Sequence, residues 1–194
     1  MNDSVIDIKT TAIVVIDLQL GIASMPVEPY KTDTVVQNAK RMVEVFRKNQ
    51  ALVFLVHVGP SKDGKDTLQP LSDQPMQWSG PRPDNWMDFV PEIGPEPTDL
   101  IITKRQWGAF HGTELDLQLR RRGISTIILC GIATNIGVES TARFAFEYGY
   151  SQIIVEDACS ARSKEEHEHC FKTTFPRIAR IRSTDDVLAA LRQG

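Results

Sequence analysis

Five short runs of β-branched and apolar residues divide this chain: Thr11 to Ile16, Leu52 to Val58, Leu100 to Thr103, Thr126 to Cys130 and Gln152 to Val155. They lack the strict polar alternation of a strand with one wet face, so a sheet built from them needs cover on both sides. Parallel sheets have that cover because their crossover helices lie on the two faces. Ile178 to Ile181 is a weaker sixth run. The segments between carry helical signals. Val35, Val36, Ala39, Met42, Val43 and Phe46 recur at helical spacing, and Thr113 starts a helix with Leu115 and Leu119 that stops at Gly123. Ser163-Lys-Glu-Glu166 reads as a capping box, and Ser183-Thr-Asp-Asp186 opens a last helix in the same way. This alternation predicts an α/β fold: a doubly wound, six-stranded, mostly parallel sheet with helices on both faces.

At 194 residues, 41% of them hydrophobic and 24% charged, the chain can bury a sizeable core and reads as one domain over 1–194. A formal net charge of -3 argues against nucleic acid or an anionic membrane as partner. The basic cluster Arg120-Arg121-Arg122 closes a helix before Gly123, where positive charge suits the helix dipole. Three unevenly spaced cysteines fit a reducing compartment. Met1 to Asp7 has neither the basic nor the apolar part of a signal peptide, and no stretch is apolar enough to span a bilayer, so a cytoplasmic location is expected.

One region breaks the regular pattern. Gly59 to Thr98 holds eight of the eleven prolines together with Trp78 and Trp86, far longer than the usual connection. It follows the carboxyl end of a strand, the side where open α/β sheets bind ligands. Three readings stand: a functional lid, an oligomer contact, or a satellite cluster that pins down a long loop.

Chemistry-bearing groups fall at the same edge. Asp17 ends the first apolar run and Lys104 ends the third. The fourth run leads through Gly131-Ile-Ala-Thr134-Asn135-Ile-Gly137-Val138-Glu-Ser-Thr141-Ala142-Arg143 into a helix. Three strand ends of one parallel sheet thus bring an acid, a cation and a turn rich in backbone N–H groups to one crevice.

Asp17-Leu-Gln19, Lys104-Arg-Gln-Trp107-Gly-Ala-Phe110 with Thr113 and Leu115, and Gly131 to Arg143 followed by Glu156-Asp157-Ala158, together resemble the isochorismatase-like family, also called the cysteine hydrolases. The resemblance covers nearly the whole chain. It implies a catalytic pair, Asp17 and Lys104, and a substrate-binding surface drawn from Gln19, Trp107, Phe110, Ile132, Ala133, Asn135 and Ile136. It also implies a cis peptide bond at Ile132-Ala133 and assembly into a homo-oligomer, a dimer or tetramer. Where the family pattern has its nucleophilic cysteine, this chain has Gly137. Glycine has no side-chain lone pair, so thioester chemistry is closed at that position and space is left beside the turn. Within the family this loss resembles the true isochorismatases, which cleave a vinyl ether without a covalent intermediate, the aspartate acting as general acid. Those carry Tyr-Ala-His in this turn, whereas Ala133-Thr134-Asn135 is closer to the amidase-like frame.

No metal and no cofactor are expected. The zinc-dependent nicotinamidases of this superfamily carry Asp-x-His with a further histidine, whereas here His57 stands alone in Val56-His57-Val58. His167 and His169 lie on different faces of a helix, and His111 is isolated. His57 is either a pocket residue or a structural one. Cys130 and Cys170 read as packed small hydrophobes; Cys159, near a strand end, is the one candidate thiol to stand in for the missing nucleophile. Ser140 and Thr141, without a paired histidine, read as packing or capping hydroxyls. Two functions follow. The first is a hydrolase of a small polar molecule, working on a vinyl ether or on a C–N or C–O bond through Asp17 and Lys104. The second is a small-molecule binding or assembly protein that kept the scaffold without its nucleophile.

Overall fold

The computed structural model describes residues 6–75 and 82–191. Its six strands are β1 (Thr11–Ile16), β2 (Leu52–Val58), β3 (Leu100–Lys104), β4 (Thr126–Ile132), β5 (Ser151–Ser160) and β6 (Arg180–Arg182). They form one sheet in the order β3-β2-β1-β4-β5-β6, with every neighbouring pair parallel. All six residues of β1 are buried, as expected for a strand flanked by two others and covered on both faces.

Two short helical turns and five longer pieces surround the sheet: α1 (Leu20–Ala23), α2 (Thr32–Lys48), α3 (Leu115–Arg121), α4 (Glu139–Glu147), α5 (Lys164–His169), α6 (Phe175–Ile178) and α7 (Thr184–Leu191). The apolar stripe of α2, Val35 through Phe46, is buried against the sheet. Right-handed crossovers from β1 to β2 and from β4 to β5 run in opposite directions across the sheet, so α2 and α4 cover opposite faces. The last helix packs beside α2, with Arg41 paired to Asp185 at 2.6 Å. Ser163 caps α5 by a reciprocal capping box, and Ser183 and Asp186 exchange the equivalent bonds at the start of α7. No helix among the described residues is long and apolar enough to cross a membrane.

Several boundaries differ from the sequence reading, with β3 reaching Lys104 and β4 reaching Ile132. The final strand is Arg180–Arg182, because Ile178 ends α6, a turn opened by Pro176. The fifth strand runs on to Ser160, since a register shift after Leu129 lets its far end pair again, Gly131 with Cys159 and Ile132 with Ser160. The third helix begins at Leu115, and Thr113 accepts the Leu115 N–H from just outside it at 3.2 Å.

The proline-rich excursion folds back onto the sheet edge. Gln19 and Phe89 form an antiparallel bridge, and Gly21 donates to the Trp86 carbonyl at 3.0 Å. Trp86 lies so close over Gly21 that a Cβ there would meet its indole at about 2 Å. Trp78 lies outside the described residues.

Candidate active site

The strand order reverses between β1 and β4, and Asp17 and the turn after β4 sit at that divide. Ligands of open α/β sheets bind in the crevice formed there. Asp17 leaves β1 at φ 53°, a left-handed conformation that aspartate tolerates better than most residues, and its N–H bonds the Val56 carbonyl at 2.9 Å. Lys104 closes β3, in register with Val58 of β2. Its side chain crosses the end of β2 and donates to Asp17 Oδ2 and to the Trp107 carbonyl, both at 2.7 Å. Asp17 is 5% exposed and Lys104 1%. Asp17 Oδ1 is buried with no hydrogen-bond partner. Burial holds the Asp17 carboxyl above the usual carboxylate range, against the opposing pull of the Lys104 charge and hydrogen bond.

Past β4 the chain passes the cis peptide bond Ile132-Ala133 and forms a π-helical turn, Thr134–Val138, that runs into α4. Gly131, at φ 129°, is required here: a Cβ would stand 2.0 Å from the Ile16 carbonyl oxygen. A Cβ on Gly137 would lie 2.9 Å from Asp17 Oδ2, 2.9 Å from Ile16 Cγ2 and 3.3 Å from Lys104 Nζ. The nucleophile position therefore faces the charged pair directly. It is not the open slot expected from the missing side chain, because Asp17 and Ile16 pack up to the glycine. Thr141 supports the turn, donating to the Gly137 carbonyl at 2.7 Å and accepting from Ala109 N–H at 3.1 Å. The Ile136 and Val138 N–H groups both donate to the Ala133 carbonyl, so the Ile136 amide is engaged within the turn.

The residues expected to contact substrate divide into three groups. Ile132, Ala133, Asn135 and Ile136 belong to the turn or its approach, and Asn135 Oδ1 is buried without a partner. Trp107 is half exposed beside the pair that its carbonyl helps to hold. Gln19 and Phe110 have structural tasks. Gln19 is fully buried, donating to the Val58 and Trp86 carbonyls and accepting from Val58 N–H, so it fastens the excursion to β2. Phe110 packs among Tyr148 and Tyr150 at 5.4 and 5.8 Å between ring centres.

His57 is likewise tied into the excursion. Its Nδ1 is 2.8 Å from the Met87 carbonyl, which only accepts, so that nitrogen carries a proton; Nε2 is 2.7 Å from Thr103 Oγ1 and the ring stacks on Phe89. Cys159 is fully buried in β5, where desolvation pushes its thiol well above the ordinary range and so disfavours the thiolate that a nucleophile needs. Burial also pushes the Cys130 thiol up to about 12. Among the described residues no cluster of His, Cys, Asp and Glu is placed to hold a metal ion.

One contact escaped the sequence reading. His167 on α5 is buried, with Nδ1 2.9 Å from Thr134 Oγ1. Burial lowers its pKa to about 4. Its neighbour His169 is exposed, as two-residue spacing on a helix requires.

A six-stranded parallel sheet in this order, with an acid from β1 and a lysine from β3 meeting a strand-turn-helix junction on β4, defines an α/β protein of the isochorismatase-like class. Residues 11–186 match the family model described as Isochorismatase domain, and the chain belongs to that family. It is 53% identical to the uncharacterized isochorismatase family protein YwoC of Bacillus subtilis (strain 168), over 99% of this chain and 100% of that one. A solved isochorismatase family protein from Burkholderia thailandensis superposes with a TM-score of 0.91 at 41% identity, covering 97% of this chain and 98% of the other. The ureidoacrylate amidohydrolase RutB of Acinetobacter baylyi is 31% identical, over 78% of this chain and 71% of its own length.

Proposed function

We propose that this protein hydrolyses a small polar metabolite without forming a covalent enzyme intermediate, using Asp17 as general acid or base and Lys104 as its electrostatic partner. The carrying observation is the buried Asp17–Lys104 pair at 2.7 Å, set against a residue that cannot act as nucleophile, with one carboxyl oxygen unpartnered. A raised pKa suits an aspartate that must deliver a proton near neutral pH.

Vinyl ether hydrolysis is the sharpest form of this reading. The protonated Asp17 transfers its proton to the enol carbon, water adds to the oxocarbenium carbon so formed and loses a proton back to the carboxylate, and the resulting hemiketal breaks its C–O bond to give a ketone and an alcohol. Lys104 favours the carboxylate that forms as the proton leaves. The similarity to an amidohydrolase supports the same pair acting on a C–N bond, with ionised Asp17 drawing a proton from the attacking water. Neither route needs a metal or cofactor.

The closeness of Asp17 and Ile16 to Gly137 favours a second reading: a binding or assembly protein that holds a small carbonyl compound without converting it. A panel of enol ethers, ureides, amides and esters, offered to the wild type, Asp17→Asn and Gly137→Cys, separates the two. The first reading expects wild-type turnover that survives blocking of all thiols and disappears in Asp17→Asn. Tight binding with no product from the wild type, and hydrolysis gained only in Gly137→Cys, would establish the second. In either case we propose a cytoplasmic homo-oligomer, a dimer or tetramer, for light scattering on the purified protein to check.

A further inference from the structure

The helical segment after β5 touches the π-helical turn at both of its ends. His167 reaches Thr134, the first residue of the turn, at 2.9 Å. Cys170, three residues further and so on the same helical face, donates its S–H to Glu139 Oε2 at 3.1 Å. Thr174, one turn beyond, donates to Glu139 Oε1 at 3.2 Å. Glu139 directly follows the turn's last residue, so Thr134 and Glu139 bracket Gly137.

His167 is costly at this position. It is 1% exposed and its Nε2 is buried with no partner. A neutral imidazole has one N–H and one lone pair, so one polar function goes unsatisfied whichever nitrogen holds the proton, and that lowers stability. Its other neighbours are the rings of Tyr30 and Phe171, at 5.7 and 4.6 Å, against which an apolar side chain would pack as well. Packing alone does not call for histidine here; the bond to Thr134 does.

We propose that His167 and Cys170 are positioning residues, which clamp Thr134–Val138 from behind and set where Gly137 and the Asn135 amide stand relative to Asp17. The purpose of the clamp rests on the reaction proposed above, but the clamp itself is testable without a substrate. The experiment is hydrogen–deuterium exchange on the whole protein, followed in peptides covering 131–143, for wild type, His167→Leu, His167→Asn and Cys170→Ala, with melting temperatures measured alongside. Leucine keeps only the volume, whereas asparagine puts an amide near the place of Nδ1.

The expected result is exchange in the turn about fivefold faster or more in His167→Leu, with a melting temperature equal to or above that of the wild type. Asparagine restores slow exchange, and Cys170→Ala gives a smaller increase. Unchanged exchange in both the Leu and Ala variants would overturn the proposal. So would faster exchange spread over the whole chain with a lower melting temperature, the mark of a merely structural residue. Where a substrate is turned over, His167→Leu lowers kcat with little change in KM, and an unchanged kcat in a variant with a loosened turn refutes the positioning role. If the wild type turns over nothing, the exchange result still stands on its own.

Discussion

Replacing Asp17 by Asn and Lys104 by Met, singly and together, measures how far the charged pair is a unit. The two side chains are 7% and 1% exposed and meet at 2.7 Å. Lys104→Met leaves a carboxyl group with neither oxygen bonded, because Oδ1 already has no partner. Breaking a buried pair from one side costs about 3–5 kcal/mol, and without the lysine the Asp17 pKa rises further. Asp17→Asn is milder. Asparagine tolerates the left-handed backbone at this position, its carbonyl still accepts from Nζ, and the Trp107 carbonyl remains as second acceptor, so the loss is about 1–3 kcal/mol. In the double variant both charges are gone, and the total loss falls short of the sum of the single losses by about 2 kcal/mol. Urea unfolding of the four proteins at pH 7 gives these values directly, provided the slopes agree. Turnover in the same samples separates chemistry from folding, since Asp17→Asn is expected to be folded and inactive. Single losses that add without coupling, or a Lys104→Met variant that loses under about 1 kcal/mol, would refute the buried pair.

Gly137→Cys must push the Asp17 carboxylate and Ile16 outward by a few tenths of an ångström, and overpacking of this kind costs about 1–3 kcal/mol in urea unfolding; an unchanged midpoint would mean the position is open after all. His167 gives a signed pH effect. Its pKa is lowered by folding from 6.5 to about 4, so the folded state binds fewer protons, and folding stability is highest above pH 6.5 and declines as pH falls from there through about 4. The stability of wild type relative to His167→Leu should therefore shrink by about 3 kcal/mol between pH 7 and pH 4, and a constant difference would contradict a buried neutral ring. Cys130 and Cys159 should react with a thiol reagent only as fast as the protein unfolds, and prompt modification of either in native protein would contradict their burial.

The sheet was legible because apolar strands buried on both faces leave a pattern that little else produces. Asp17 and Lys104 were legible for a related reason: all strands of a parallel sheet point one way, so the ends of apolar runs share one edge. That Lys104 reaches Asp17 across β2 depends on strand order, which no local pattern encodes. The structural bonds of Gln19 left no local signal, because one of them goes to Trp86, in a segment without periodicity and far away along the chain. The packing of Phe110 was hidden in the same way, since its neighbours Tyr148 and Tyr150 lie beyond the β4 turn along the chain. The space beside Gly137 could not be inferred from a missing side chain, because close-packed neighbours fill what is left to them. The bond between His167 and Thr134 carries no sequence signal, since either residue alone is ordinary on a helix or at a helix start.

Lys104 spans the end of a strand to which neither member of the pair belongs, and this has a bearing on how the chain matures. Parallel strands cannot assemble by local hairpins, so β1, β2 and β3 come into alignment only after long loops have closed, a slow process. Until the third strand docks, the aspartate has no ammonium beside it. The buried ion pair thus comes into being only with the finished sheet, and the proton handling proposed for it belongs to the assembled fold.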